Sequence, residues 1–436
     1  MLKVFCHYNI LIKIEMKDLK KNTLKQLNNK LVRNDEYVKF PRFGKCQKSI
    51  IATLMSLLCI LFNVSILSSC GNSQMNNKET SDYNFSDTSK TIVLKLEEGP
   101  NNPRNGEGDF ITLKDGKILF VYGHFTGNTG DDYGHAYLAS RFSVDSGKTW
   151  SKEDKIIVEQ EGKLSVNLVS LLRLQNGSIA LFNLKINAED DTTPWMRISN
   201  DEGKTWEPAK QSIVDREGFR ANKGIGFQLN NDRVIQLKDG RLLMPVAIHQ
   251  VPTGKWGKES NKGSIWSYYS DDNGNTWLPG KEVPTVDSIM TQEPGVVELK
   301  NGDIFMWIRT DKGAQYTSYS KDRGITWSSA VRSNIPSPRS PASIKRIPST
   351  GDLLLVWNNN GLNQKRTPLT TAISKDEGKS WGKIKNLEED PDGCYCYTAI
   401  EFVGDYVLLG HGAVGVTKEC LANSNVNRVG LGWIYK

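Results

Sequence analysis

SVDSGKTW (Ser143–Trp150), SNDEGKTW (Ser199–Trp206), SDDNGNTW (Ser270–Trp277), SKDRGITW (Ser320–Trp327) and SKDEGKSW (Ser374–Trp381) are five copies of one phrase, S-x-D-x-G-x-[ST]-W. Repetition at this spacing means stacked copies of one supersecondary unit. The Asp can accept hydrogen bonds from the backbone of its own turn, and the Gly permits positive φ. The Trp can wedge between one unit and the next and bury a large apolar area.

A second repeat fixes the number of units. Upstream of each box an apolar run meets a turn Gly and then another apolar run. These turns centre on Gly116, Gly177, Gly240, Gly302, Gly351 and Gly404, at separations of 61, 63, 62, 49 and 53 residues. D-G and N-G between β-type runs signal hairpins. Units of this length suit four-stranded blades, and six blades lie within the normal range of a β-propeller. The expectation is an all-β, six-bladed β-propeller over residues 91–436. The sixth unit lacks a box, and Arg428–Tyr435 or the early strand Thr91–Leu96 is expected to complete it. No amphipathic helix is visible in the repeat region.

The formal charge of +7 does not imply a nucleic-acid partner. Residues 1–69 hold 12 Lys/Arg and 4 Asp/Glu, which leaves residues 70–436 with 44 basic and 45 acidic side chains. The basicity belongs to the leader. There, Arg42, Lys45 and Lys48 precede an uncharged, mostly apolar stretch, Ser49–Leu67, and then Leu67-Ser68-Ser69-Cys70. The pattern resembles the lipobox of bacterial lipoproteins, which implies lipidation at Cys70, a polar linker over residues 70–90, and export to the cell envelope. A transmembrane anchor is the rival, since the stretch can just span a bilayer. Residues 70–436 suffice for one propeller but not for a second large domain. Cys394, Cys396 and Cys420 read as free thiols, or as one disulfide to Cys420, rather than as metal ligands.

Topology then sorts the polar residues. In a four-stranded meander, successive turns alternate between the two ends of the strands. The Gly hairpins join strands 1 and 2 and the boxes join strands 3 and 4, so both lie on one face. The opposite face carries the approaches to strand 1 and the loops between strands 2 and 3. Arg104, Asp131 and Asp132 fall there in the first blade, Glu293 and Arg309 in the fourth, Arg366 in the fifth and Tyr397 in the sixth. Three Arg forks can hold one carboxylate. A Tyr beside a Glu can become a nucleophile, because the carboxylate takes its phenolic proton. An Asp across the site can protonate a leaving oxygen. Asn231, Asp232, Arg233 and Lys223 lie at the approach to the third blade and could touch substrate, but they are not counted among the site residues. Tyr395 reads as a packing neighbour, and His124, His135 and His249 flank plausible site loops but lack metal-ligand spacing.

The boxes look like the Asp-box, or BNR repeat, of sialidases, a structural device that carries no catalysis. Glu293 with Val296-Val297-Glu298-Leu299 resembles the family's E-x-x-V-V-E-L, and Tyr397-Thr398-Ala399-Ile400 is similar to its Y-S-S-L. Arg309 and Arg366 match the second and third residues of its Arg triad. Arg104 takes the first place, but in PRNGEGDF rather than the family's R-I-P, which adds Glu107 as an unexpected carboxylate. The resemblance implies Tyr397 as nucleophile, Glu293 as its base, Asp131 or Asp132 as acid, and Arg104, Arg309 and Arg366 as a carboxylate clamp. Sialidases use Tyr where other retaining glycosidases use a carboxylate. It implies an exo-acting retaining hydrolase of terminal sialic acid. The alternatives are a hydrolase of another acidic sugar and a non-catalytic Asp-box glycan-binding protein. Sialylated or other acidic glycans are the implied partners. No cofactor or metal, no nucleic acid and a monomer are expected, with membrane contact only through the lipid anchor.

Overall fold

A computed structural model describes residue 83 and residues 85–212, 224–286, 288–361, 363–415, 417 and 419–436. All described residues belong to one compact unit, Asp82–Lys436. The leader, Cys70 and Lys223 lie outside them. The regular structure of the described residues is nearly all β, in antiparallel groups, the first three joined into one sheet by short parallel pairings. The first group is made by β2 (Asn105–Thr112), β3 (Ile118–Phe125), β4 (Ala136–Ser143) and β5 (Lys155–Val158), which follow β1 (Lys90–Leu96). The second is β6 (Ser165–Arg173), β7 (Ile179–Ala188), β8 (Asp191–Ser199) and β9 (Lys210–Gln211). The third is β10 (Ile225–Gln228), β11 (Ile235–Gln236), β12 (Leu242–Gln250), β13 (Gly263–Ser270) and β14 (Leu278–Pro279), with β10 and β11 both pairing β12.

The fourth group is β15 (Thr291–Glu298), β16 (Ile304–Thr310), β17 (Ala314–Ser320) and β18 (Val331–Pro336). The fifth is β19 (Ser343–Arg346), β20 (Leu353–Asn358), β21 (Leu369–Ser374) and β22 (Gly382–Glu388). The last is β23 (Cys396–Val403), β24 (Tyr406–Ala413) and β25 (Asn423–Gly430), whose free edge is filled by β1 from the start of the unit. A short helix, α1 (Leu431–Tyr435), follows, and Tyr83 and Phe85 pack on Tyr435. Among the described residues no helix is long and apolar enough to cross a membrane.

Burial falls from the inside of each group outward. Every residue of β16 and β20 is buried, as befits strands covered on both faces. The outer strands β5, β18 and β22 are largely exposed and carry Lys or Arg, which blunts their free edges. Between groups the box tryptophans act as expected. Trp327 packs with Leu243 and Ile265 of the third group, and its Nε1 donates to Ser267 Oγ at 2.9 Å. Trp277 meets Phe182 of the second group edge-on. Trp150, from the first box, shares a cluster with Ala399, Leu408 and Val426 of the last group. The box turns are built alike. Asp322 Oδ1 accepts from Thr326 N at 2.8 Å and Oδ2 from Thr326 Oγ1 at 2.6 Å, with Gly324 at φ 82°.

Cys394 and Cys420 form a disulfide, and Cys396 is a buried free thiol. The bond ties the approach to β23 to the loop before β25.

Candidate active site

The inner strands do not run straight. In β2, β6, β15 and β23 the ladder register slips, between Gly106/Asp109, Asn167/Ser170, Gln292/Gly295 and Cys396/Ala399. Each bulge holds one non-glycine residue in the left-handed region: Glu107 at φ 49°, Leu168 at 58°, Glu293 at 47° and Tyr397 at 56°. A bulge re-aims a side chain, and a left-handed residue in it is costly unless the surroundings impose it. All four side chains line one cavity of about 620 Å³. Close packing beneath requires glycine: a Cβ on Gly295 would stand 2.3 Å from the Trp307 ring, and one on Gly108 would stand 2.6 Å from the Val121 carbonyl.

The seven residues singled out from sequence line this same cavity. Arg104 directly precedes β2. Asp131 and Asp132 lie between β3 and β4, and Arg366 between β20 and β21. Glu293, Arg309 and Tyr397 sit within β15, β16 and β23. The boxes and glycine hairpins join the strands at the other end. Tyr397 Oη donates to Glu293 Oε1 at 3.0 Å. Arg309 Nη1 donates to Glu293 Oε2 and lies 3.4 Å from Tyr397 Oη. Arg366 lies over the Tyr397 ring at 5.7 Å, and its Nη1 contacts Cys396 Sγ at 3.1 Å. Arg104 donates to Glu107 Oε1 and, at 2.7 Å, to Asp132 Oδ1.

These neighbours set the protonation states. Burial and the Glu293 charge push the Tyr397 phenol well above its ordinary value. Burial alone would raise Glu293, but Arg309, Arg366 and the Tyr397 hydroxyl outweigh it and hold the carboxyl below the usual range. Glu107 goes the other way: burial, aided by Asp132 and Glu293, overcomes Arg104 and raises it. Asp132 is held low, because Arg104 more than offsets burial. A phenol facing an ionised carboxylate, ringed by guanidinium groups and with carboxylates at the mouth, can bind an anion and supply both a nucleophile and a proton.

A model of the BNR repeat-like domain family matches residues 130–409. The chain belongs to the BNR-repeat proteins of the sialidase superfamily. It is 28% identical to a sialidase of Clostridium perfringens over 278 residues, which make 58% of this chain and 69% of the relative. A Vibrio cholerae sialidase is 33% identical over 306 residues, 63% of this chain but 35% of the relative. The Trypanosoma rangeli sialidase in complex with 2,3-difluorosialic acid, a covalent intermediate, has a TM-score of 0.60 at 17% identity. That match covers 79% of this chain and 60% of the other, and it is a likeness of fold.

Within this superfamily member Asn231, Asp232 and Arg233, not counted among the site residues, do not line the cavity. Asn231 Nδ2 donates to the Gly108 and Tyr397 carbonyls, both at 2.9 Å, and so braces two bulges. Asp232 accepts from Lys345 Nζ and from Ile400 N, and Arg233 Nη2 donates to the Ala342 carbonyl. Polar groups near the convergence of the inner strands cross-link them. Tyr395 packs in the core, as expected. His124 pairs with Asp154 and His135 with the Leu164 carbonyl, away from the cavity. Sequence reasoning missed Gln228, which donates to Glu293 Oε1 at 3.0 Å. It also missed the exposed Arg339 at the rim and the buried Asn167 beside Leu168. A Gln within the apolar run of β10 was the one available signal. Among the described residues no group of three or more His, Cys, Asp or Glu could hold a metal ion.

Proposed function

We propose that this chain is an exo-acting retaining glycoside hydrolase that removes terminal sialic acid from glycans, on a six-bladed β-propeller closed by pairing β1 with β25. The single observation that carries the reading is Tyr397 Oη at 3.0 Å from Glu293 Oε1, inside a cavity lined by Arg104, Arg309 and Arg366. In the proposed reaction the three guanidinium groups hold the sugar carboxylate. Glu293 takes the phenolic proton as the Tyr397 oxygen bonds to the anomeric carbon. The leaving oxygen takes a proton from the β3–β4 loop. Water then hydrolyses the sugar–tyrosine bond: the loop carboxylate takes the water proton as base, and Glu293 returns its proton to the Tyr397 oxygen. An uncharged phenol meets an anionic sugar without the repulsion a carboxylate nucleophile would feel. Asp132 is tied to Arg104 and held ionised, whereas Asp131 forms no ion pair among the described residues, so the acid role falls first to Asp131.

A second reading, hydrolysis of a different acidic sugar, is favoured by one observation. Arg104 already carries Glu107 and Asp132, so it has less to offer a sugar carboxylate than Arg309 or Arg366. A pure glycan-binding module has no use for the Tyr397–Glu293 pair. The experiment is fluorophore release from an aryl sialoside by the purified chain, repeated over a panel of acidic glycosides. Release from an aryl sialoside supports the first reading, and release only from other glycosides the second. Binding without turnover across the panel sinks both.

Export with a lipid on Cys70 is part of the proposal, supported by Leu67-Ser68-Ser69-Cys70. Cys70→Ala should abolish lipid labelling and membrane retention. A variant that still partitions as an integral membrane protein would make Ser49–Leu67 a transmembrane anchor instead.

A further inference from the structure

Behind Glu293 lies a buried histidine that the proposed reaction leaves unused. His249 on β12 is 0% exposed. Its Nδ1 lies 2.7 Å from the Ser260 carbonyl oxygen, and its Nε2 lies 3.1 Å from Gln228 Oε1. The Gln228 amide nitrogen donates to Glu293 Oε1 at 3.0 Å, the same oxygen that accepts the Tyr397 hydroxyl. The ring is boxed in. Trp256 stands 4.7 Å away, with its backbone N–H on Glu189, and a Cβ on Gly263 would come within 2.8 Å of the imidazole.

The hydrogens on this chain of groups can be counted. A carbonyl only accepts, so His249 Nδ1 carries a hydrogen. Gln228 Oε1 also only accepts, so a matched contact needs a second hydrogen on Nε2, which makes a buried cation. Burial opposes that and lowers His249 to about 4, with Glu293 raising it and Arg309 lowering it as the charged groups that face it. A neutral His249 therefore leaves Nε2 bare and facing an acceptor. Turning the amide over satisfies Nε2 but sets Gln228 Oε1 against the Glu293 carboxylate. While Glu293 is ionised the chain is one hydrogen short in either orientation. It becomes complete when Glu293 holds a proton: the reversed amide donates to Nε2 and accepts from the Glu293 hydroxyl. The proton comes from Tyr397 Oη, whose oxygen by then is bonded to carbon and no longer needs Glu293 as acceptor. No proton leaves the site, and His249 stays neutral throughout.

We propose that His249, acting through Gln228, raises the proton affinity of Glu293 and stabilises the protonated Glu293 that follows attack by Tyr397. This rests on the Tyr397–Glu293 reading above, and both His249 and Gln228 are positioning residues. The other charged or titratable groups around Glu293 are Arg309, Arg366 and Tyr397, with Arg233, Glu107 and Cys396 near by.

Two measurements on the full chain do not depend on turnover. With 15N-histidine there are five imidazole rings, each with two ring-nitrogen signals, and His249→Gln assigns the pair of interest. At pH 7 we expect a neutral ring with Nδ1 protonated and Nε2 bare; a cation or the Nε2–H tautomer overturns the proposal. With 13C-carboxyl glutamate, assigned by Glu293→Gln, the titration of Glu293 is followed in parent and His249→Gln. The new amide donates to Gln228 Oε1 and completes the chain with Glu293 ionised. We expect the Glu293 midpoint to fall by about one unit, a tenfold change in proton affinity, and the shift to vanish in a Gln228→Met background. An unchanged or raised midpoint, or a shift that survives Gln228→Met, overturns it. Aryl sialoside turnover by the parent separately judges the functional reading.

Discussion

Glu107 and Glu293 stand at matching bulges of β2 and β15, in nearly the same left-handed conformation, φ 49° and 47°. Both are buried, and each is paired with an arginine, Arg104 and Arg309. Yet their carboxyl groups move in opposite directions, Glu107 above its ordinary range and Glu293 below. The backbone device is the same; the second ring of partners differs. Glu293 also receives a hydrogen bond from Tyr397 and feels Arg366. Glu107 shares its arginine with Asp132 and feels Glu293. Position brings a carboxylate to the cavity, and the count of donors and charges around it decides which protonation state it keeps.

The comparison breaks most readily on turnover. Glu293→Gln keeps the shape but cannot take the Tyr397 proton, so the expected loss in kcat is about 10²–10⁴-fold, the usual worth of a positioned base. Tyr397→Phe should lose at least as much while ligand binding persists. Glu107→Gln removes one charged hydrogen bond from Arg104 and should cost no more than about 3 kcal/mol in kcat/KM. Steady-state rates on an aryl sialoside check all three. If Glu107→Gln proves as damaging as Glu293→Gln, the two glutamates share the chemistry and the assignment above fails.

The arginine partners come next. Arg309→Lys keeps charge but loses the fork that spans Glu293 and the sugar carboxylate, an expected loss of about 2–4 kcal/mol in transition-state binding. Arg104→Lys should cost less, because both terminal nitrogens of Arg104 are already engaged by Glu107 and Asp132. The ratio of kcat/KM values, each against the parent, measures the gap. Equal losses would mean that Arg104 turns from its own carboxylates to the substrate.

Much of this arrangement was legible in the chain. The boxes and glycine hairpins alternate along it, so they sorted the loops by end, and Tyr397, Glu293 and Arg309 followed from their place at the other end. The bulges were not legible. NGEGDF and TQEPGVVEL share a Glu at the bulge and a Gly that must pack under a ring, but one puts a Pro between the two. The two segments therefore do not align, and the twin of Glu293 was visible only as an extra carboxylate. The link between Gln228 and His249 escaped for another reason. A Gln in the apolar run GIGFQL and a His in VAIHQ each stand out locally, but their pairing depends on which strands meet around the cavity.

Stability against pH sharpens the contrast without any substrate. Between its unfolded and folded pKa values Glu107 holds a proton in the folded state that the unfolded chain has lost, so its contribution falls as pH rises. Glu293 has the opposite sign: its folded value is depressed, so stability is lost as pH falls. Denaturant midpoints from pH 3 to pH 8 should therefore show Glu107→Gln gaining on the parent as pH rises and Glu293→Gln gaining as pH falls. Slopes of the same sign would show that the two sites are not electrostatic opposites.

The smallest effect is expected at the other end of the strands, where no carboxylate faces the cavity. Asp322 is half-buried, and its carboxylate serves only its own turn, through Thr326 N, Thr326 Oγ1 and Ser320 Oγ. Asp322→Ala removes these bonds but leaves the backbone donor free to find water, so the expected cost is about 1 kcal/mol of stability. The box lies between β17 and β18, whereas Glu293 and Arg309 sit at the opposite ends of β15 and β16. Nothing in the turn reaches those residues, and the Trp327 wedge is held by its own contacts with Leu243, Ile265 and Ser267. Turnover should therefore match the parent at temperatures where both are folded. A drop in kcat at unchanged stability would mean that the box communicates with the bulges across β15–β18, and the division of labour between the two ends would have to be abandoned.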